Sequence, residues 1–97
     1  MTMYIVLINW TEQGVKNVRE SPKRLDAAKK LLSDMGGSFR DFYLTMGKHD
    51  MVAVCEAPDD AVMARFGLSL AMGGNVRTHT LKAFPEAAYR ELINSLG

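Results

Sequence analysis

Phe42-Tyr43-Leu44-Thr45-Met46-Gly47-Lys48-His49-Asp50-Met51-Val52-Ala53-Val54-Cys55-Glu56 is the stretch whose reading decides the fold. Strand-forming residues lie on both sides of Gly47–His49, and the glycine stands where a tight turn asks for a positive φ angle. The stretch therefore reads as two β-strands folded back on each other. It also carries the densest group of ionisable side chains next to an apolar run.

Ahead of this hairpin, Met3–Asn9 reads as a strand that is apolar on both faces, with Tyr4, Val6 and Ile8 on one side and Met3, Ile5 and Leu7 on the other. Such a strand is normally covered twice. Thr11 is placed to cap a short helical turn through Glu12 and Gln13 toward Asn17. Ser21-Pro22 starts a helix, with serine as N-cap and proline at the first helical position. Leu25, Ala28, Leu32 and Met35 then recur at helical spacing with Leu31 beside them. Lys23, Arg24, Lys29 and Lys30 fall on the solvated side, and Gly36-Gly37 ends the helix.

Behind the hairpin, Ala57-Pro58-Asp59-Asp60 opens a second helix with its acidic residues at the favourable end of the dipole. Val62, Met63, Phe66, Ser69 and Leu70 form its inner face, and Gly73-Gly74 stops it. Asn75–Ala83 reads as the last strand, and Pro85–Leu96 as a terminal helix with Ala88, Leu92 and Leu96 in register and Tyr89 and Ile93 adjacent.

The order βαββαβ is that of the α+β ferredoxin-like split unit, a four-stranded antiparallel sheet with both crossover helices on one face. Here a C-terminal helix follows it, within a single domain spanning residues 1–97. The strand order expected is 4-1-3-2. Strands one and three are taken as parallel, which places the Gly47–Asp50 turn at the end marked by Met3 and Lys82. Trp10, Asp41, Glu56 and Arg77 then gather at the opposite pole.

Two helices cover one sheet face only, yet Met51, Ala53 and Cys55 alternate with Val52 and Val54 so that the third strand, like the first, is apolar both ways. A bare patch of this kind is unusual on a soluble monomer. A homodimer or higher homo-oligomer formed through the helix-free face is the economical expectation, with cover by the terminal helix as the other solution. Seven methionines suit adaptable packing there.

Twelve basic against eleven acidic residues leave a formal charge of +1, so there is no net basic field to attract nucleic acid or an anionic membrane. Cys55 is the only cysteine, which excludes an internal disulfide and a Cys-rich zinc site and fits a reducing compartment. The N-terminus lacks a basic stretch ahead of an apolar segment, and Tyr4–Ile8 is too short to span a bilayer. A cytoplasmic location is expected.

Several stretches resemble the GYD domain family: Tyr4-Ile5-Val6-Leu7, Thr11-Glu12-Gln13-Gly14, Ser21-Pro22-Lys23-Arg24, Asp41-Phe42-Tyr43-Leu44-Thr45-Met46-Gly47, Glu56-Ala57-Pro58-Asp59-Asp60 and Gly74-Asn75-Val76-Arg77-Thr78. They run in order over nearly the whole chain. The glycine–variable–tyrosine–aspartate motif behind the family name reads here Gly47-Lys48-His49-Asp50, with histidine in place of tyrosine. The resemblance implies a ferredoxin-like fold of the dimeric α/β-barrel type and brings no reaction with it.

His49 and Asp50, beside Lys48, are the catalytic candidates as an acid–base or orienting pair. Tyr43, Lys48, His49 and Asp50 are the ligand-binding candidates. The plain structural alternative is a turn in which the aspartate binds backbone amides and the other two are solvated. At the second pole, Trp10 and Arg77 are candidates for a pocket wall and an anion contact, with ion pairing of Arg77 to Asp41 or Glu56 as the alternative. His49 and His79 are too far apart in one subunit to share a metal under the expected strand directions, so no metal is assigned, and no cofactor either. Cys55, among Val52, Ala53 and Val54, reads as a packed hydrophobe. The function expected is an oligomeric module binding a small molecule. Analogy with similar folds keeps open a cofactor-independent or haem-dependent enzyme using His49 or His79, and a purely structural self-assembling protein.

Overall fold

β1 (Thr2–Trp10) lies in the middle of a four-stranded sheet with β3 (Met51–Ala57) on one side and β4 (Val76–Ala83) on the other, and β2 (Ser38–Leu44) pairs with the outer edge of β3. Three helices join the strands: a short α1 (Glu12–Lys16), then α2 (Ser21–Asp34), and α3 (Asp60–Met72). A fourth, α4 (Glu86–Asn94), follows β4. This computed structural model describes all residues, Met1–Gly97. The order β2-β3-β1-β4 is the ferredoxin-like arrangement read from the sequence.

One expectation is overturned. β1 and β3 are antiparallel, with Ile5 opposite Val54 and Ile8 opposite Met51. The helical crossover returns β2 in the direction of β1, and the hairpin then reverses β3, so the two central strands must oppose each other. The poles change accordingly. The Gly47–Asp50 turn lies at the Trp10 end, because Met51 faces Ile8. Glu56 faces Met3 at the other end, and Asp41 stands opposite Val54 near mid-sheet.

Strand alternation sorts the side chains. Tyr4, Val6 and Ile8 of β1 and Met51, Ala53, Cys55 and Ala57 of β3 are buried under α2 and α3, where Ala28, Leu32, Val62, Met63 and Phe66 complete the core. Phe39 and Phe42 both pack against this core although their spacing is not that of a regular strand. A bulge between Phe39 and Asp41 accounts for it by setting Phe39 opposite Cys55 and Phe42 opposite Ala53. Phe39 and Phe66 meet edge to face at 6.0 Å.

The helix starts are partly as read. Thr11 caps α1 by accepting the Gly14 N–H, and Asp59 caps α3 by accepting that of Val62. Ser21 is not a cap. A 3₁₀ turn over Val18–Glu20 runs straight into α2, so Ser21 is already helical and Glu20 precedes it without a side-chain bond. Arg24, expected in solvent, donates to the carbonyls of Asn17 and Gly14 and ties α2 to the end of α1. Gly14 is buried because α1 presses on the β4 approach. A Cβ there would stand 2.0 Å from the Asn75 carbonyl oxygen.

α4 contributes nothing to this core. None of its residues is buried, and the molecule extends 52 × 31 × 17 Å. No helix is long and apolar enough to cross a membrane.

Candidate functional site

Three features carry the polar chemistry: the turn after β2, the junction of α3 with β4, and the helix-free sheet face. In the turn, Gly47 takes φ +122° as its position required, and Met46 and Lys48 beside it are exposed. Thr45 closes the loop by donating its N–H to the Asp50 carbonyl at 2.8 Å and its hydroxyl to the His49 carbonyl at 2.6 Å. Asp50 then fastens the loop to β1. Its N–H donates to Ile8 O at 3.0 Å, and its carboxylate accepts the Trp10 N–H at 3.0 Å. His49 Nδ1 lies 3.0 Å from Asn9 Oδ1, while the Asn9 amide donates to the Lys48 carbonyl. His49 and Asp50 thus each take a partner on β1, Asn9 and the Trp10 amide respectively.

The helix-free face gathers more of the sequence candidates. Residues directly opposite in antiparallel strands share a face. One row across the sheet is therefore Tyr43, Val52, Leu7 and His79, and the next is Asp41, Val54, Ile5 and Leu81. Asn9 and Arg77 form the end of a third, beside His49. Trp10 belongs to the opposite face. It packs against the core, and its indole N–H is buried without a partner. The Trp10–Arg77 pole is consequently split between the two sides of the sheet. Arg77 pairs with neither Asp41, two strands away across β1 and β3, nor Glu56, which stands beyond β1 at the opposite, Met3 end of the sheet and instead meets Arg40 at 3.6 Å.

The sequence reading missed a cluster at the far end of β1. The Tyr4 hydroxyl donates to Asp60 at 2.5 Å, and Lys82 Nζ lies 3.1 Å from the other oxygen of that carboxylate. Burial, reinforced by the Asp60 carboxylate, pushes the Tyr4 phenol up to about 12, while the Tyr4 and Lys82 bonds hold Asp60 below its ordinary value. The signal was present in the register, because β1 and β4 are antiparallel neighbours and Tyr4 stands opposite Lys82. Burial likewise pushes the Cys55 thiol up to about 12, consistent with a packed hydrophobe.

Two concavities lie on the helix side. An open groove of about 1010 Å³ runs between α3 and β4, from Tyr4 and Asp60 past Gly67 and Ala71 to Thr11 and Gln13. A smaller, more apolar cavity of about 240 Å³ lies between α2, α3 and the sheet, with Ile8, Leu31, Phe42 and Leu70 in its wall and Ser21 and Arg24 among its polar lining. Of the candidate site residues, only Arg77 lines either one; Trp10, Tyr43, Lys48, His49 and Asp50 do not.

A family model described as the GYD domain matches residues 4–93. A protein of Thermus thermophilus, described as a glutamine synthetase and cystathionine beta-lyase binding protein, is 38% identical over 88 residues, covering 90% of this chain and 93% of that protein. A crystal structure from the same organism superposes with a TM-score of 0.54 at 23% identity, covering 88% of this chain and 95% of the other, and so shares the fold.

Proposed function

The chain belongs to the GYD domain family, and on that premise we propose that it is a homodimeric binding module of the cytoplasm that docks onto metabolic enzymes. The observation that carries this is the apolar interior of the helix-free face. Ile5, Leu7, Val52 and Val54 occupy the two central strands, flanked by Leu81, Tyr43 and His79 on the edges. An apolar centre inside a more polar rim is the anatomy of a protein interface. A second copy covers it by a two-fold operation that sets the same patch against itself.

The enzyme-binding part draws on the Thermus relative, whose description names two enzymes of amino-acid metabolism as what it binds. In this chain Leu44 and Met46, at the tip of the β2–β3 hairpin, are exposed to 69% and 100%. Leu44, opposite Met51 at the end of β2, belongs to the helix side of the sheet and Met46 to the turn, so pairing through the helix-free face leaves both for a second partner. The test is gel filtration of the purified chain with glutamine synthetase and, separately, cystathionine β-lyase. Co-elution with at least one, lost on Met46→Asp, is the expected result. Separate elution from both overturns the enzyme-binding reading.

The cavity between α2 and α3 favours a second reading, in which a small apolar ligand binds on the helix side. Native mass spectrometry of freshly purified protein tests it: extra mass that leaves on activation supports a ligand, and a bare oligomer counts against one.

A further inference from the structure

We propose that α4 of one copy lies, apolar side inward, in the groove between α3 and β4 of a second copy. This deepens the dimeric reading by stating where the C-terminal arm goes.

α4 carries Ala88, Tyr89, Leu92 and Ile93 at i, i+1, i+4 and i+5, which is one continuous helical stripe, and Leu96 follows in the turn after it. Nothing covers it: Leu92 is 49% exposed and Leu96 79%. A nine-residue helix is marginal in water by itself, so an order of this kind depends on a surface for its stripe. Its own chain does not supply one. Only Phe84-Pro85 separates β4 from α4, and Pro85 is extended at φ −58°, ψ 160°, which carries the helix away from the sheet.

The groove has the complementary character. Its floor and wall come from Ala64, Gly67, Leu68 and Ala71 of α3 and from Thr78 and Thr80 of β4, with Leu68 67% exposed. At ~1.5 Å per residue, the nine residues of α4 span ~14 Å, shorter than the ~18 Å of α3 between Asp60 and Ala71 that borders the groove. The charges match as well. Arg65, on the α3 turn beside the groove, has no acidic partner, and Glu91, on the flank of the α4 stripe, has no basic one.

The occupant is a second copy because both surfaces belong to one chain. Each subunit gives an arm and receives one, so the exchange closes with two equivalent contacts and leaves no free surface to recruit a third copy. It also shields β4, an edge strand whose outer backbone groups are otherwise open to adventitious pairing.

The experiment places the photo-crosslinker p-benzoylphenylalanine at Leu92 of the full chain. Light and ¹⁵N-labelled chains are mixed, exchanged, irradiated and mapped by mass spectrometry, with native mass spectrometry of the same sample confirming mixed dimers. The expected products are light–heavy crosslinks from Leu92 to residues 64–71 or 78–80. Gly67→Phe should abolish them; a Cβ at residue 67 meets only the Thr78 hydroxyl, at 3.8 Å, so the fold accepts the change while the groove fills. Mixed dimers that give only same-label crosslinks, crosslinks onto the helix-free face, none at all, or a yield indifferent to Gly67→Phe overturn the arm exchange and leave the dimer standing. A monomeric mass overturns both.

Discussion

The two faces of the sheet are built from the same two central strands and come to opposite ends. On the helix side, Tyr4, Val6 and Ile8 meet Met51, Ala53 and Cys55 and vanish beneath α2 and α3. On the other side, Ile5, Leu7, Val52 and Val54 are as apolar but only half-buried, screened by neighbours and strand edges. Composition does not separate them; cover does. The lesson is that an apolar strand face specifies a need for burial without specifying which chain meets it.

The largest expected effect lies on the covered side. Phe66, 1% exposed, is the biggest side chain fully enclosed, and Phe66→Ala should cost about 3–5 kcal/mol in urea unfolding. Leu7→Ala on the open face should cost clearly less at dilutions where copies do not pair. Equal losses would mean that the faces are closed alike and would break the contrast. Next comes Val52→Asp, which should weaken self-association about 100-fold, or ~2.8 kcal/mol, by sedimentation, with the circular dichroism spectrum retained. An unchanged association constant would move the interface elsewhere.

A smaller effect is expected where the two faces meet at the Trp10 end. Asp50→Ala removes the acceptor of the Trp10 N–H and should cost about 1–3 kcal/mol, with hydrogen exchange speeding up at Trp10 and across the 45–50 turn. His49→Ala removes only the Asn9 contact and should cost about 1 kcal/mol or less.

The smallest effects at neutral pH are those of titration at the other end of β1, which develop only toward the pH extremes. Cys55 and Tyr4 titrate at 9.0 and 10.0 when unfolded and at about 12 when folded, so their contribution is complete below pH 9 and is lost as pH rises toward 12. Tyr4→Phe and Cys55→Ala should each flatten part of that alkaline decline. Asp60 has the opposite sign, its folded value being depressed. Its contribution is present above its unfolded 3.8 and is lost as pH falls through the lower folded value. Because Asp60 is exposed, this acid-side change should be slight, and Tyr4→Phe should reduce it further.

Much of the architecture was legible. Apolar spacing gave the elements, Pro22, Asp59 and the glycine pairs gave most of their limits, and the two-sided strands gave the demand for a second cover. Gly47 was readable as a positive-φ position because the turn left few alternatives. The candidate site was far less legible. His49 and Asp50 were found as neighbours, but their partners Asn9 and the Trp10 amide are about 40 residues away in the chain. Tyr4 and Asp60, 56 apart, were missed for the same reason.

The sequence by itself determined the order of elements, the face each residue takes within its own strand or helix, and the excess of apolar surface. These follow from periodicity and local backbone preference, which act over a few residues. The direction of β3 against β1 is implicit in the element order, through the crossover and the hairpin; only the tertiary structure decided the register, which sets Met51 against Ile8 and lines up Tyr43, Val52, Leu7 and His79 across the helix-free face. Strand pairing is long-range. Sliding one strand by two residues leaves its faces intact while exchanging every neighbour along its length, so nothing local in the sequence records the register.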